Sequence, residues 1–312
     1  MMKSIVLVLL LLNTAFSFSQ SAEECYKSAR KESASDNNKS ALKWIDKAIA
    51  VDPNNEEYYD FKGLILTEQG ESQKAYDAFS MGIAINPKAS YIYLNRGNLF
   101  LGTMQFEDAV ADFTQSSIVA ETDSAKYSAI MNRAAAKLQI REFESAYEDL
   151  MKCYAFDSTD LGTLTNLGAV CDEIGRGDET LKYLLKAVEI DPSYYGAYGN
   201  IGFKYQEMGE YQKAIEYCDI VLKFSPDDPI GLSNRSYNKL MLGDAKGAMK
   251  DIEKSIKLYP LNSYAYKNRA LIQLKNGDTE KACADLLMAI EKGFTETYGQ
   301  EVNELIDKHC KH

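Results

Sequence analysis

The chain has 312 residues, 46% hydrophobic and 26% charged, so it can bury a core and lacks the composition of a disordered tail. A net charge of −11 with no concentrated basic face excludes a nucleic-acid binder driven by phosphate neutralisation and disfavours an anionic membrane surface. The two histidines, His309 and His312, both lie in the last four residues, which leaves no histidine base for a folded cleft.

The first residues read as an address. Lys3 precedes an unbroken apolar run, Ile5 to Leu12, followed by two processing sites, Ala15-Phe16-Ser17 and Ser17-Phe18-Ser19. This is the three-part pattern of a signal peptide, assigned to residues 1–19. The run is too short to span a bilayer, and Ala22-Glu23-Glu24 before Cys25 is not a lipid-attachment pattern. The expectation is an exported chain in the periplasm, at the cell surface or outside the cell, with no membrane insertion after leader removal.

Beyond the leader the chain is periodic. Pro53, Pro87, Pro192, Pro226 and Pro260 are separated by 34, 105, 34 and 34 residues, and Gly70, Gly175, Gly209, Gly243 and Gly277 by 105, 34, 34 and 34. Because 105 is three periods plus three, two unrelated residue types report one 34-residue repeat with one three-residue insertion. The units run 22–55, 56–89, 90–123, 127–160, 161–194, 195–228, 229–262 and 263–296. The insertion falls in the polar stretch Glu121 to Lys126, because Arg96 to Arg133 and Ala109 to Ala146 are each 37 apart. Any bend or hinge is expected there.

Each unit is predicted to be a helical hairpin. The glycine at its fifteenth position ends the first helix, since a residue without Cβ enters the left-handed conformation cheaply. The proline at position 32 stops the second. The third and fourth units lack both, having Met104 and Glu121 in one and Arg141 and Ser158 in the other. Small residues at position 8 (Gly63, Gly97, Ala134, Gly168) and position 20 (Ala75, Ala109, Ala146, Ala214) allow the two helices to approach closely.

With an aromatic at position 4 (Tyr59, Tyr93, Tyr198, Tyr266), small residues at 8 and 20, an aromatic or aliphatic at 24 (Phe79, Phe113, Leu184, Ile252) and proline at 32, the units resemble the tetratricopeptide repeat family. The resemblance covers residues 22–296 and implies an all-α, right-handed solenoid of about eight helix-turn-helix units. The tail, 297–312, looks like the capping helix that solvates the end of such an array.

At 100° per residue, positions 4, 7, 8 and 11 share the apolar side of the first helix, whereas positions 2, 6, 9 and 13 fall opposite. That second side lines a concave groove, the family's usual ligand surface. Position 6 is asparagine six times running: Asn95, Asn132, Asn166, Asn200, Asn234 and Asn268. A ladder of carboxamides suits the backbone of an extended peptide; the alternative is that asparagine is simply common at this position in the family and serves local helix packing. Nearby candidates are Tyr91, Phe203, Tyr237, Tyr264, Leu271 and Met241, with Asp172, Glu173, Glu207, Lys267 and Lys275 as the charged members; some of these belong either to the groove or to the core between repeats. No unit pairs lysine and asparagine at positions 5 and 9, so the family's carboxylate clamp is not expected. The acidic middle of the groove suits a basic or aromatic-rich segment of another protein. Arginines at position 7 (Arg96, Arg133, Arg235, Arg269) face the packed side and are expected to bridge to acids of an adjacent helix.

Cys283 opens the last unit's second helix and Cys310 ends an antiparallel closing helix, which makes them a candidate disulfide; the other four cysteines read as buried thiols. The terminal His309-Cys310-Lys311-His312 has no second cluster to complete a metal site. Gly175-Arg176-Gly177-Asp178 follows a helix rather than a strand and is no phosphate loop. Without a catalytic constellation, the chain is expected to be a non-catalytic protein-interaction scaffold with no cofactor. The alternative is a structural part of an envelope assembly, docking through its convex side or its ends.

Overall fold

A computed structural model describes residues 21–310; the signal peptide expected over residues 1–19 lies outside them, as do Lys311 and His312. The chain divides into two compact units, one ending at Phe156 and the other beginning at Asp157.

The first unit holds four hairpins: α1 (Ala22–Ser33) with α2 (Asn38–Val51), α3 (Glu56–Glu68) with α4 (Ser72–Ile85), α5 (Ser90–Gly102) with α6 (Phe106–Val119), and α7 (Asp123–Gln139) with α8 (Phe143–Phe156). The second holds α9 (Leu161–Glu173) with α10 (Gly177–Ile190), α11 (Tyr195–Glu207) with α12 (Tyr211–Phe224), α13 (Pro229–Met241) with α14 (Ala245–Leu258), and α15 (Ser263–Lys275) with α16 (Thr279–Glu291), closed by α17 (Phe294–Tyr298) and α18 (Glu301–His309). The described residues contain no strand, and none of their helices is long and apolar enough to cross a membrane. Within each unit, the second helix of one hairpin packs on the first helix of the next. Successive first helices also touch, α3 with α5 and α5 with α7 in one unit, α9 with α11, α11 with α13 and α13 with α15 in the other. First helices therefore share one face of each unit.

Position 15 sets every turn. Gly70, Gly175, Gly209, Gly243 and Gly277 all have φ between 73° and 92°. Where glycine is missing, Asp36, Met104 and Arg141 adopt φ of 56°, 60° and 61°. The third and fourth repeats thus keep the turn without the residue that makes it cheap, at a strain of about 1–2 kcal/mol for each residue carrying a Cβ.

The insertion does not form the expected hinge. It lengthens α7 to 17 residues, against 13 in α5 and α9, with the Thr122 hydroxyl accepting the Ala125 N–H as an N-cap. A good cap followed by helix-forming residues extends the helix backward instead of opening a loop. Moreover, the division between compact units falls after Phe156 instead.

Two contacts recur inside the hairpins. The first joins position 8 to position 24: a Cβ built on Gly63 would stand 2.5 Å from the Phe79 ring, on Gly97 2.6 Å from Phe113, and on Gly168 2.5 Å from Leu184. The second joins position 7 to position 23. Arg96, Arg133, Arg235 and Arg269 each grip both oxygens of Asp112, Asp149, Asp251 and Asp285, at 2.6–2.8 Å. A third tie links consecutive repeats, the Tyr198 and Tyr266 hydroxyls donating to the carbonyls of Pro192 and Pro260 at 3.1 Å.

The closing segment is two helices rather than one, beginning earlier than expected. Gly293 and Gly299, at φ 83° and 86°, turn the chain before α17 and between α17 and α18. Phe294 and Val302 are fully buried against Tyr266, Ala270, Leu286 and Ala289 of the last hairpin. Cys310 is disulfide-bonded to Cys283. Cys25, Cys153, Cys171 and Cys218 are buried, and burial pushes the Cys171 and Cys218 thiols up to about 11 and about 12.

Candidate functional site

The six asparagines do not form one solvent-facing ladder. In the first unit, the Asn95 amide donates to Asp60 Oδ1 at 2.8 Å and the Asn132 amide to Asn98 Oδ1 at 2.9 Å, each reaching back to the preceding first helix. In the second unit, Asn268 does the same to Ser233, at 3.2 Å to Oγ and 3.3 Å to the carbonyl, and is fully buried between α13 and α15. Asn268 is therefore a tie between repeats and not a ligand contact. Asn166 is half-buried, Asn234 is half-buried and Asn200 is exposed.

Lys267 is likewise corrected. It is 2% exposed, lies 4.1 Å over the Tyr264 ring, and pairs with Glu301 of α18 at 3.1 and 3.2 Å. A buried ammonium needs such partners, and the closing segment supplies them by folding over the last first helix. Lys275 donates to the Leu240 carbonyl. Leu271 is half-buried and Met241 is exposed.

Four of the remaining candidates, Asn200, Phe203, Asn234 and Tyr264, line a cleft of about 500 Å³ along the first-helix face of the second unit; Asn166, Asp172, Glu173, Glu207 and Tyr237 lie outside its lining. Tyr195, Phe203, Ile230, Tyr264 and Tyr298 wall it, and Asn200, Asn234 and Asn262 supply amides. Tyr264 is held between Phe294, stacked at 6.0 Å, and Tyr298, edge-on at 5.4 Å. Burial, together with nearby Glu301, pushes its hydroxyl up to about 12, so it remains a neutral phenol. Tyr237 is half-buried beside this wall, edge-on to Tyr211. The floor is Gly196 and Gly199, where an added Cβ would meet nothing within 4 Å.

Acids outnumber lysines on this face, and the lysines are held by them. Lys204 bonds Asp172 and reaches Glu207 at 3.4 Å. Glu173 is exposed beside them.

In the first unit the corresponding face carries Tyr91, 38% exposed, beside Asp60. Burial raises the Asp60 carboxyl to about 6, the hydrogen bond from Asn95 opposing that rise and Glu57 adding to it. Burial and the carboxylates of Glu56, Asp60 and Glu57 also raise the Tyr91 hydroxyl.

Sequence reasoning missed Tyr195, Ile230 and Asn262, the glycines at 196 and 199, and Tyr298 of the closing segment. The only available signal was a helix with glycine at 196, 199 and 202, a residue that weakens helices and is otherwise spaced by the repeat.

The hairpin that supplies those glycines coincides with residues 195–228, which match the family model described as tetratricopeptide repeat; residues 252–284 match a second model of that description. The chain is a tetratricopeptide repeat protein. Its fold resembles that of a tetratricopeptide repeat protein from Parabacteroides merdae, with a TM-score of 0.67 at 18% identity over 81% of this chain and 97% of that one. It also resembles a chain of the APC/C hetero-tetramer Cut9-Hcn1, with a TM-score of 0.64 at 16% identity over 94% of this chain and 57% of the other. Pseudomonas aeruginosa pilF gives a TM-score of 0.58 at 16% identity over 69% of this chain and 96% of that one. A repeat array of this kind suits a protein-interaction scaffold.

Proposed function

We propose that this tetratricopeptide repeat protein is a non-catalytic scaffold outside the cytoplasm that captures an extended segment of another protein on its first-helix face. The observation that carries the reading is the cleft over Gly196 and Gly199, where aromatic side chains and amides of three successive hairpins and the closing segment face open space. Aromatics with a polar tip are common interface anchors, and carboxamides match the donors and acceptors of an extended backbone. Export rests on the Lys3 and Ile5–Leu12 leader pattern.

The reading is tested by comparing what wild type and the Asn166→Ala, Asn200→Ala double variant retain from envelope extract, with the mature N-terminus sequenced in parallel. Loss of specific partners from the double variant, and a mature chain starting at Gln20, after a leader of residues 1–19, are expected. Unchanged partners would favour docking through the convex side or the ends, and an uncleaved cytoplasmic chain would remove the export proposal.

A further inference from the structure

The reading of the first-helix face as a ligand surface leaves open what chemistry it selects, and the glycines of α11 bear on that question. Gly202, at position 8, has a packing reason, since a Cβ there would come within 3.3 Å of Tyr217 and 3.4 Å of the Ala214 carbonyl. Gly196 and Gly199 have none. Both are helical, neither has positive φ, and the space in front of each is empty. Alanine would stabilise the helix at either position, so the missing side chains weaken α11 and in return hold the cleft open.

We infer that this cleft is a socket for one bulky aromatic or aliphatic side chain of an extended partner peptide, with a lysine or arginine beside it. The inference rests on the scaffold reading above and deepens it. The walls fit an apolar insert: Tyr195, Phe203, Ile230 and Tyr298 are 53%, 40%, 48% and 54% exposed around the opening. A volume of about 500 Å³ falls within the range of ligand pockets, roughly 300–1,000 Å³. Asn262 supplies the polar contact. It lines the cleft, is only 7% exposed, and its Nδ2 is a buried donor without a partner, which a peptide carbonyl satisfies once the amide turns toward the opening.

The basic flank follows from charge. Asp172, Glu173, Glu207, Asp228 and Glu301 lie on or beside this face, against Lys204, Lys267 and Lys275; Lys204 is held by Asp172 and Glu207, Lys267 by Glu301, and Lys275 by the Leu240 carbonyl. The surplus is negative, which favours a cationic neighbour to the inserted side chain and disfavours an acidic one.

The test uses the full chain as wild type, as the Gly196→Ala, Gly199→Ala double variant and as Gly199→Trp, each probed with peptides selected on wild type from a random library. Selected peptides should share an aromatic or large aliphatic residue next to Lys or Arg, and should bind Gly199→Trp at least about tenfold more weakly. Both glycine variants should melt at or above the wild-type temperature, which separates loss of binding from loss of fold. Acidic or purely polar consensus peptides would overturn the inference. Peptides that bind Gly199→Trp unchanged but are lost on Asn166→Ala would overturn the socket while leaving the scaffold reading intact. Selection of no peptide would sink both, and a dimer of the chain alone that Gly199→Trp dissolves would assign the cleft to a second copy and overturn the peptide occupant.

Discussion

Arg96 holds both carboxylate oxygens of Asp112, Nε at 2.7 Å and Nη2 at 2.8 Å, across the two helices of one hairpin. The same pair, sixteen residues apart, recurs as Arg133–Asp149, Arg235–Asp251 and Arg269–Asp285. In the fifth and sixth repeats those positions hold Leu167 with Tyr183 and Ile201 with Tyr217. In these six repeats one slot therefore accepts either a buried ion pair or an apolar pair; in the second repeat it holds Lys62 with Ala78, and Lys62 finds its carboxylate in Asp46 of the preceding hairpin at 2.7 Å. Asp112→Ala, which strands a largely buried guanidinium, should cost about 3–5 kcal/mol, whereas Arg96→Leu combined with Asp112→Tyr should cost clearly less. Urea denaturation of the three proteins checks this. A double variant as unstable as the single one would mean that the pair does more than fill the slot.

Two carboxylates give the first unit opposite pH dependences. Burial alone would push the Asp149 carboxyl up, but hydrogen bonds from Arg133, Lys137 and Lys152 outweigh it and bring the group down to about 2. Its contribution, about 2 kcal/mol, is present above pH ~4 and lost as pH falls toward 2. Asp60, raised to about 6, behaves in reverse: its contribution is present below pH ~4 and lost as pH rises through 6. Asp60→Asn keeps an acceptor for Asn95 and should raise stability at pH 7 by about 2–3 kcal/mol while flattening the profile between about pH 4 and 6. Thermal midpoints across pH decide the point; a profile unchanged by the substitution would show that Asp60 is not desolvated.

The turn and the close helix contact predict opposite outcomes for glycine. Met104→Gly and Arg141→Gly relieve left-handed strain and should stabilise by up to about 1 kcal/mol each, after the added entropy of the unfolded chain is subtracted. Gly63→Ala forces a Cβ against the Phe79 ring and should destabilise by about 1–3 kcal/mol. Chemical denaturation distinguishes the two classes. A neutral Gly63→Ala would mean that the contact relaxes freely.

The Cys283–Cys310 bond ties α18 to α16 across 27 residues of sequence. Cys310→Ser should release about 3 kcal/mol of constraint, on the chain-entropy account, and raise hydrogen exchange in α17 and α18 before the rest of the second unit. Exchange that rises uniformly would show that the closing segment is not a separate cooperative element. The buried thiols of Cys171 and Cys218 should meanwhile resist alkylation until the protein is unfolded.

The hairpins were legible because glycine and proline occupy positions where backbone geometry admits few substitutes. The turn at Met104 and Arg141 was hidden, since packing there imposes a conformation that the local sequence opposes. The arginines were legible as packed-side groups, and their aspartates follow once the hairpin is closed. The asparagine run shows where one residue type recurs but not what it meets, because that depends on Asp60, Asn98 and Ser233 one repeat away. The closing segment was legible only as a cap. Its pairing with Lys267 and its contribution of Tyr298 to the cleft depend on how the chain folds back after Gly293 and Gly299.

Whether the first-helix face is the contact surface is reached most directly by site-specific photo-crosslinking. A benzoylphenylalanine is placed at Phe203, on the cleft wall, and in a separate protein at Lys213, exposed on α12. The account predicts adducts from position 203 that map to one extended segment of a partner, with none from position 213. Adducts from position 213 alone would contradict it.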